Sequence, residues 1–138
     1  MLQVVELNEQ LRDYILNLET ASSVICSRLE ERYRQEFEKF GVEISIEFLR
    51  TRKGKMAESN QIFEEHYESY IEIGIEEEQE YFPNAYIPIW RCRKEMFQNI
   101  GYLTKNDPTT IEKKINCLVE EMIHDRIEET DRNHKIDE

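Results

Sequence analysis

Carboxylates are concentrated in one short stretch of this 138-residue chain. Residues 64–80 hold eight of the 30 acidic side chains and neither lysine nor arginine. Paired carboxylates can act as general acid and base, hold Mg²⁺, or attract a basic protein. The lysine that a nuclease-type core would add is missing from residues 68–80. The eight are Glu64, Glu65, Glu68, Glu72, Glu76, Glu77, Glu78 and Glu80.

A second group of possible ligands lies near the C-terminus, where Cys117, Glu121 and His124 follow one another at helical spacing. Side chains at these intervals project from one side of a helix. Thiolate, carboxylate and imidazole are all zinc ligands, but a tetrahedral site needs a fourth group. Helical spacing often produces such triples by chance, so we predict no metal and no cofactor. A small metal-dependent hydrolase stays an alternative.

Signatures of nucleophilic catalysis and nucleotide binding are missing from the sequence. Ser22 and Ser23 lack the flanking glycines of a nucleophile elbow, and the four glycines form no phosphate-binding loop. His66, between glutamates and with no catalytic partner in the sequence, is interpreted as a surface histidine. We therefore predict that the protein is not an enzyme.

Two helices frame the chain. An apolar stripe with steps of three and four residues predicts a helix over residues 9–40, with Asn8 as N-cap and Gly41 beyond its end. Ser22 and Ser23 could bend it. Asp107 and Pro108 predict the start of a second helix that fades near Glu129. The first stripe comprises Leu11, Tyr14, Ile15, Leu18, Ile25, Leu29, Tyr33, Phe37 and Phe40.

Alternating apolar and polar residues between the helices predict strands over residues 42–49 and 68–76. A third extended segment covers residues 85–90, where Pro88 either places the strand at a sheet edge or ends it. Residues 82–84 are expected to form a break before this segment. Residues 56–66 are a loop or a short helix, and residues 91–103 a possible short helix ended by Gly101.

The element order predicts the fold class α+β: a two-layer sandwich with an antiparallel sheet of about three strands. The long N-terminal helix and the C-terminal helix both cover one face of this sheet. Residues 1–130 form a single domain, and residues 131–138 form a charged, mobile tail.

Helices on one face leave the other sheet face open, and the alternation places acidic residues there. We predict that this face binds a protein partner with a basic surface. A solvated face that only keeps the protein soluble is the competing interpretation. The predicted partner-binding residues are Glu43, Glu47, Glu68, Tyr70, Glu72, Glu76 and Glu78, and aromatic anchors are expected among Tyr67, Tyr70, Tyr81, Phe82 and Tyr86.

Composition narrows the choice of partner. A net charge of −12 argues against direct binding of nucleic acid or of an anionic membrane. The chain has no long apolar run, and its three cysteines are widely spaced, which predicts a cytoplasmic protein. The short basic clusters at residues 50–55 and 91–94 either balance local charge or pair with the acidic face of a neighbour.

The function predicted from this profile is a small acidic inhibitor that blocks a basic, nucleic-acid-handling protein. Bacterial immunity proteins and phage anti-defence inhibitors share the profile, as an analogy that carries no site residues. The alternative is a non-catalytic assembly subunit that oligomerises, for example as a homodimer, or docks through its long N-terminal helix. This alternative rests on the length of the apolar stripe from Leu11 to Phe40, because a small sheet would not cover all of it.

Overall fold

The computed structural model of the chain describes residues 1–136, and their side chains as far as Asn133. Two long helices and six strands follow one another in the order β1, α1, β2, β3, β4, β5, β6, α2. The elements are β1 Leu2–Val4, α1 Glu9–Glu38, β2 Glu43–Arg52, β3 Lys55–Met56, β4 Tyr67–Glu77, β5 Glu80–Glu95, β6 Gln98–Leu103 and α2 Pro108–Ile136. The architecture is α+β, as predicted.

The caps of both helices are those that the sequence predicts. Asn8 Oδ1 accepts a hydrogen bond from the backbone N–H of Leu11 at 2.9 Å, and Gly41 has a φ of +74° after the end of α1. Asp107 Oδ1 accepts from the N–H of Thr110 at 2.8 Å. These bonds satisfy backbone groups that a helix terminus leaves without partners.

α1 is not interrupted at its serines. Ser22 is buried against the core and Ser23 is exposed, and the helix continues through both. A small side chain fits between helix and sheet without competing for the helical hydrogen bonds. α2 continues past Glu129 to Ile136. The expected mobile tail stays a prediction, and residues 137 and 138 lie outside the described residues.

All six strands join one antiparallel sheet in the order β1-β6-β5-β4-β2-β3. The prediction of about three strands is therefore too low. β1 and the two-residue β3 add short edges, and β6 forms from residues expected to be helical or irregular.

Two tight turns account for the missed strand β6 and for the wrong bounds of β5. Glu78 and Gln79 connect β4 to β5, and Met96 and Phe97 connect β5 to β6, all four with positive φ. Two-residue hairpins usually carry asparagine and glycine at these positions, so the sequence gives no turn signal here. Residues 82–84, expected to be a break, consequently lie within the 16-residue β5.

One hydrophobic core lies between the sheet and both helices. Side chains of α1, such as Ile15 and Leu29, and of α2, such as Ile111 and Ile115, are fully buried in the same cluster as the inward residues of the strands. Tyr33 Oη donates to Asn116 Oδ1 at 2.7 Å and links the two helices. The opposite face of the sheet is left open, which is the arrangement that the alternation of β2 and β4 predicts.

Candidate functional site

The pairing of β2 with β4 determines where the predicted acidic residues lie. Glu43 is directly opposite Glu76, and Glu47 is directly opposite Glu72. Glu68 and Tyr70 continue the same row of alternate residues along β4. We call the open side of these two strands, with Glu43, Glu47, Glu68, Tyr70, Glu72 and Glu76, the acidic face. The seventh predicted residue, Glu78, lies in the β4–β5 turn.

Like charges that face each other across two strands repel. Opposed side chains of an antiparallel pair stand about 5 Å apart at Cβ, and each such pair costs up to about 1 kcal/mol relative to a neutral pair. Within residues 1–133, none of Glu43, Glu47, Glu72 and Glu76 has an arginine, lysine or histidine within salt-bridge distance. No ion pair in that part of the chain therefore offsets the repulsion.

Tyrosine rings adjoin these carboxylates. Tyr70 and Tyr86 pack with ring centroids 4.9 Å apart, and Tyr86 Oη lies 3.5 Å from a carboxylate oxygen of Glu68. Tyr81 crosses the face over Gly74, where an added Cβ would meet the Tyr81 hydroxyl at 2.4 Å. Partial burial, followed by the charges of Glu72 and Glu47, raises the pKa of Tyr81 to about 12. Burial is thus the larger cause of this shift, and the two carboxylates add to it.

Other predicted aromatic anchors have different places. Tyr67 is fully buried and donates to the carboxylate of Glu19 at 2.6 Å, so it belongs to the core. Phe82 is half exposed, but it pairs opposite Ile75 on the helix-covered side of the sheet. Tyr70, Tyr81 and Tyr86 are the aromatic residues that stand with the acidic face.

Helix α1 extends the acidic region beyond the sheet, a feature that the sequence analysis missed. Glu30 and Glu38 line a groove of about 380 Å³ together with Glu43, Glu47 and Glu76, and Arg34 is the basic residue among them. Glu30 Oε1 also accepts a hydrogen bond from the backbone N–H of Ile46 at 3.1 Å. This bond gives one backbone group at the outer edge of β2 a partner. Glu30 and Glu38 each come one residue after a buried residue of the α1 stripe. This position indicates a place in the groove only when the packing of α1 on β2 is known.

The opposite end of the same sheet is basic. Arg91 is paired opposite Glu68 on β4, and the guanidinium groups of Arg91 and Arg93 stack on Tyr102 at 5.5 and 5.1 Å from its ring centroid. These arginines come from the second basic cluster of the sequence. The open side of the sheet is thus polarised, with carboxylates towards the β4–β5 turn and guanidinium groups towards the β5–β6 turn.

The predicted stripe of possible zinc ligands does not form one cluster. Within the described side chains, the one group of ligand atoms close enough to hold a metal ion is His124, Asp125 and Glu128, and all three are exposed. Cys117 and Glu121 lie outside this group. His66 is half exposed and sits 3.4 Å from Glu65, in agreement with a surface histidine.

Over the residues that the structure describes, neither long helix contains an apolar stretch that could span a bilayer. Comparisons with protein-family models, with curated proteins and with solved structures found no match. The site is therefore interpreted from its own geometry.

Proposed function

We propose that the protein is a non-catalytic inhibitor that covers a basic, nucleic-acid-handling surface of a partner protein with its acidic face. The observation that carries this proposal is the direct pairing of Glu43 with Glu76 and of Glu47 with Glu72. Repulsion at both pairs lowers the stability of the sheet. A cationic partner surface would remove this repulsion, because its lysines and arginines would neutralise both members of each pair. The relief of the repulsion would add to the free energy of binding.

The neighbouring rings supply the second component of a protein interface. Tyr81 and Tyr86 are about half exposed, at 44 and 52 %, and stand beside the carboxylates. Tyrosine contributes large contact area at small entropic cost and is enriched among interface hot spots. Carboxylates around such rings steer a basic partner towards them and raise the association rate.

A partner with this chemistry would itself bind phosphate groups. Proteins that handle nucleic acid present lysine and arginine in rows, and a row of carboxylates on a strand can occupy them. Occupation of that surface excludes the nucleic acid, so inhibition needs no catalytic residue. Immunity and anti-defence inhibitors are the functional class that fits this mode of action.

The experiment compares three versions of the protein. One is wild type, one carries Glu72→Lys and Glu76→Lys, and the matched control carries Glu36→Lys and Glu120→Lys on exposed helix positions. Each is used to capture proteins from nuclease-treated lysate of the source organism, and the affinity for the captured protein is then measured at several salt concentrations. We expect a basic partner whose affinity falls at least tenfold with the strand variant and with rising salt, but not with the control.

The strand variant has a built-in folding control. Lysine at positions 72 and 76 faces Glu47 and Glu43, which converts two repulsive pairs into attractive ones. We expect its midpoint of unfolding to rise while binding is lost. Unchanged affinity of a more stable variant would show that the acidic face is not the binding surface. Capture of no basic protein by the wild type would also contradict the proposal.

The assembly alternative stays a prediction. Most of the α1 stripe is buried, Leu11 and Phe40 at its two ends are half-buried, and Tyr14 is exposed.

A further inference from the structure

A groove of about 710 Å³ lies between α2 and the edge of β5 and meets the acidic face at Tyr86. Its walls are residues 86–88 of β5, residues 104–106 after β6, one side of α2 between Thr110 and Leu118, and Met1. It is larger than the groove beside the acidic face, and its volume is within the range of small-molecule sites.

The groove exists because the ladder between β5 and β6 stops early. β6 pairs with residues 90–95 of β5, whereas residues 80–88 have β4 on one side and, among the described residues, no strand on the other. Pro88 has no N–H with which to continue a ladder. The chain turns away at Thr104, whose N–H donates to Ile89 O at 2.9 Å, and α2 then runs back past the open edge.

The charge of this groove is opposite to that of the molecule. Lys105, Lys113 and Lys114 line it, and no aspartate or glutamate does, in a chain with a net charge of −12. All salt bridges among residues 1–133 use arginine or histidine as the cation, so these lysines have no carboxylate partner there. Ammonium groups without an ion pair can bind a carboxylate or a phosphate.

Part of the remaining wall of the groove is apolar, and Thr104, Asn106 and Thr110 are its polar residues. Ile87, Pro88 and Leu118 contribute aliphatic surface, and Cys117 lies beside them. Apolar surface next to a few convergent charged groups is the usual composition of a small-molecule site. We propose that this groove binds a small amphipathic anion, with its carboxylate or phosphate at Lys113 and Lys114 and its apolar body against Ile87, Pro88 and Leu118.

The structure also supplies a reporter for occupancy. Cys117 lines the groove and is exposed, whereas Cys26 and Cys92 are buried. Burial raises the pKa of Cys26 to about 12 and that of Cys92 to about 11, so their thiols react slowly in the folded protein. A bound ligand that shields Cys117 will therefore slow the alkylation of the native protein.

The test measures the alkylation rate of the full chain with and without four probes below their aggregation limits. Decanoate and 1-naphthyl phosphate are amphipathic anions with different head groups, 1-decanol is apolar and neutral, and inorganic phosphate is charged without an apolar body. We expect at least threefold protection of Cys117 by one or both amphipathic anions and none by the other two. Chemical shift changes in isotope-labelled protein should map to residues 86–88, 104–106 and 110–118.

Charge variants then test the lysines. Lys113→Glu with Lys114→Glu should abolish protection, while the matched control Lys39→Glu with Lys55→Glu should retain it; each variant is compared with itself without probe. Protection by decanol, or by inorganic phosphate alone, would overturn the proposed ligand class. Protection that persists in the variant Lys113→Glu with Lys114→Glu would overturn the site. A lack of protection by every probe, together with unchanged chemical shifts, would also overturn it. None of these results depends on the acidic face.

Discussion

The indole ring of Trp90 lies directly on Gly101 of the neighbouring strand. A Cβ at Gly101 would stand 1.7 Å from the ring carbon Cη2, so only glycine allows this contact. Trp90 is fully buried, and its Nε1 donates to the backbone carbonyl of Ile62 at 2.7 Å. One side chain thereby holds β6 against β5 and ties the segment before β4 to the core.

We expect Gly101→Ala to destabilise the protein by about 1–3 kcal/mol, because the ring or the β6 backbone must move to admit a methyl group. Chemical denaturation measures the change. Trp90→Phe provides the rescue, since a smaller ring leaves room for the methyl group: the cost of Gly101→Ala should shrink in that background. An equal cost in both backgrounds would disprove the contact as its cause.

A second prediction concerns the buried carboxylate of Glu19, which accepts from Tyr67 Oη at 2.6 Å and from Arg50 Nε at 3.1 Å. Tyr67→Phe removes one donor from a charged group without access to water, at a cost of about 1–3 kcal/mol. Tyr33→Phe is the matched control, because its hydroxyl donates to the neutral, partly exposed Asn116. We expect Tyr67→Phe to lower the denaturation midpoint more than Tyr33→Phe does. The reverse order would contradict the assigned role of Glu19.

A third prediction concerns the hairpin turns. Met96 and Phe97 have φ values of 48° and 72°, and their side chains are 92 and 97 % exposed. Bulky residues adopt this backbone conformation at a cost, whereas asparagine and glycine favour it. Met96→Asn with Phe97→Gly should therefore raise stability by about 1 kcal/mol. Glu58→Asn with Ser59→Gly introduces the same two residues at exposed positions outside any two-residue hairpin, where Glu58 caps a short 3-10 helix; this control should not stabilise. A loss of stability in the turn variant would contradict this interpretation.

The fourth prediction is a loss of stability at alkaline pH. Burial raises the pKa of Cys92 from 9.0 to about 11 and that of Cys26 from 9.0 to about 12, so the folded state keeps protons that the unfolded state releases. The free energy of unfolding should therefore be independent of these thiols below pH 9 and fall as the pH rises from 9 towards 11 and 12. The double variant Cys26→Ala with Cys92→Ala should lose less of its neutral-pH free energy of unfolding at alkaline pH than the wild type loses. Cys117→Ala should lose as much as the wild type. Parallel curves for all three proteins would exclude the thiols as the cause.

Local patterns account for much of what the sequence predicts correctly. Hydrophobic periodicity and capping residues place the start of both helices and, to within two residues, the end of α1, but not the end of α2; strict alternation identifies β2 and β4. Because alternate residues of a strand share a face, the same pattern predicts that Glu43, Glu47, Glu72 and Glu76 stand on the open side. These glutamates face each other in pairs because of the strand register, which cannot be read from the sequence.

The remaining features depend on contacts between distant parts of the chain. β6 has no strong alternation of its own and is a strand because β5 and the ring of Trp90 pair and pack with it. Glu19 looks like a surface residue of an amphipathic helix, yet its partner Tyr67 lies 48 residues away in the sequence. The lysine groove forms where β6 ends and α2 passes the edge of β5. Periodicity and capping act locally, so the helices, the alternating strands and the acidic charge can be predicted from the sequence. The register, the buried carboxylate and the groove cannot, because they arise from packing between residues far apart in the chain.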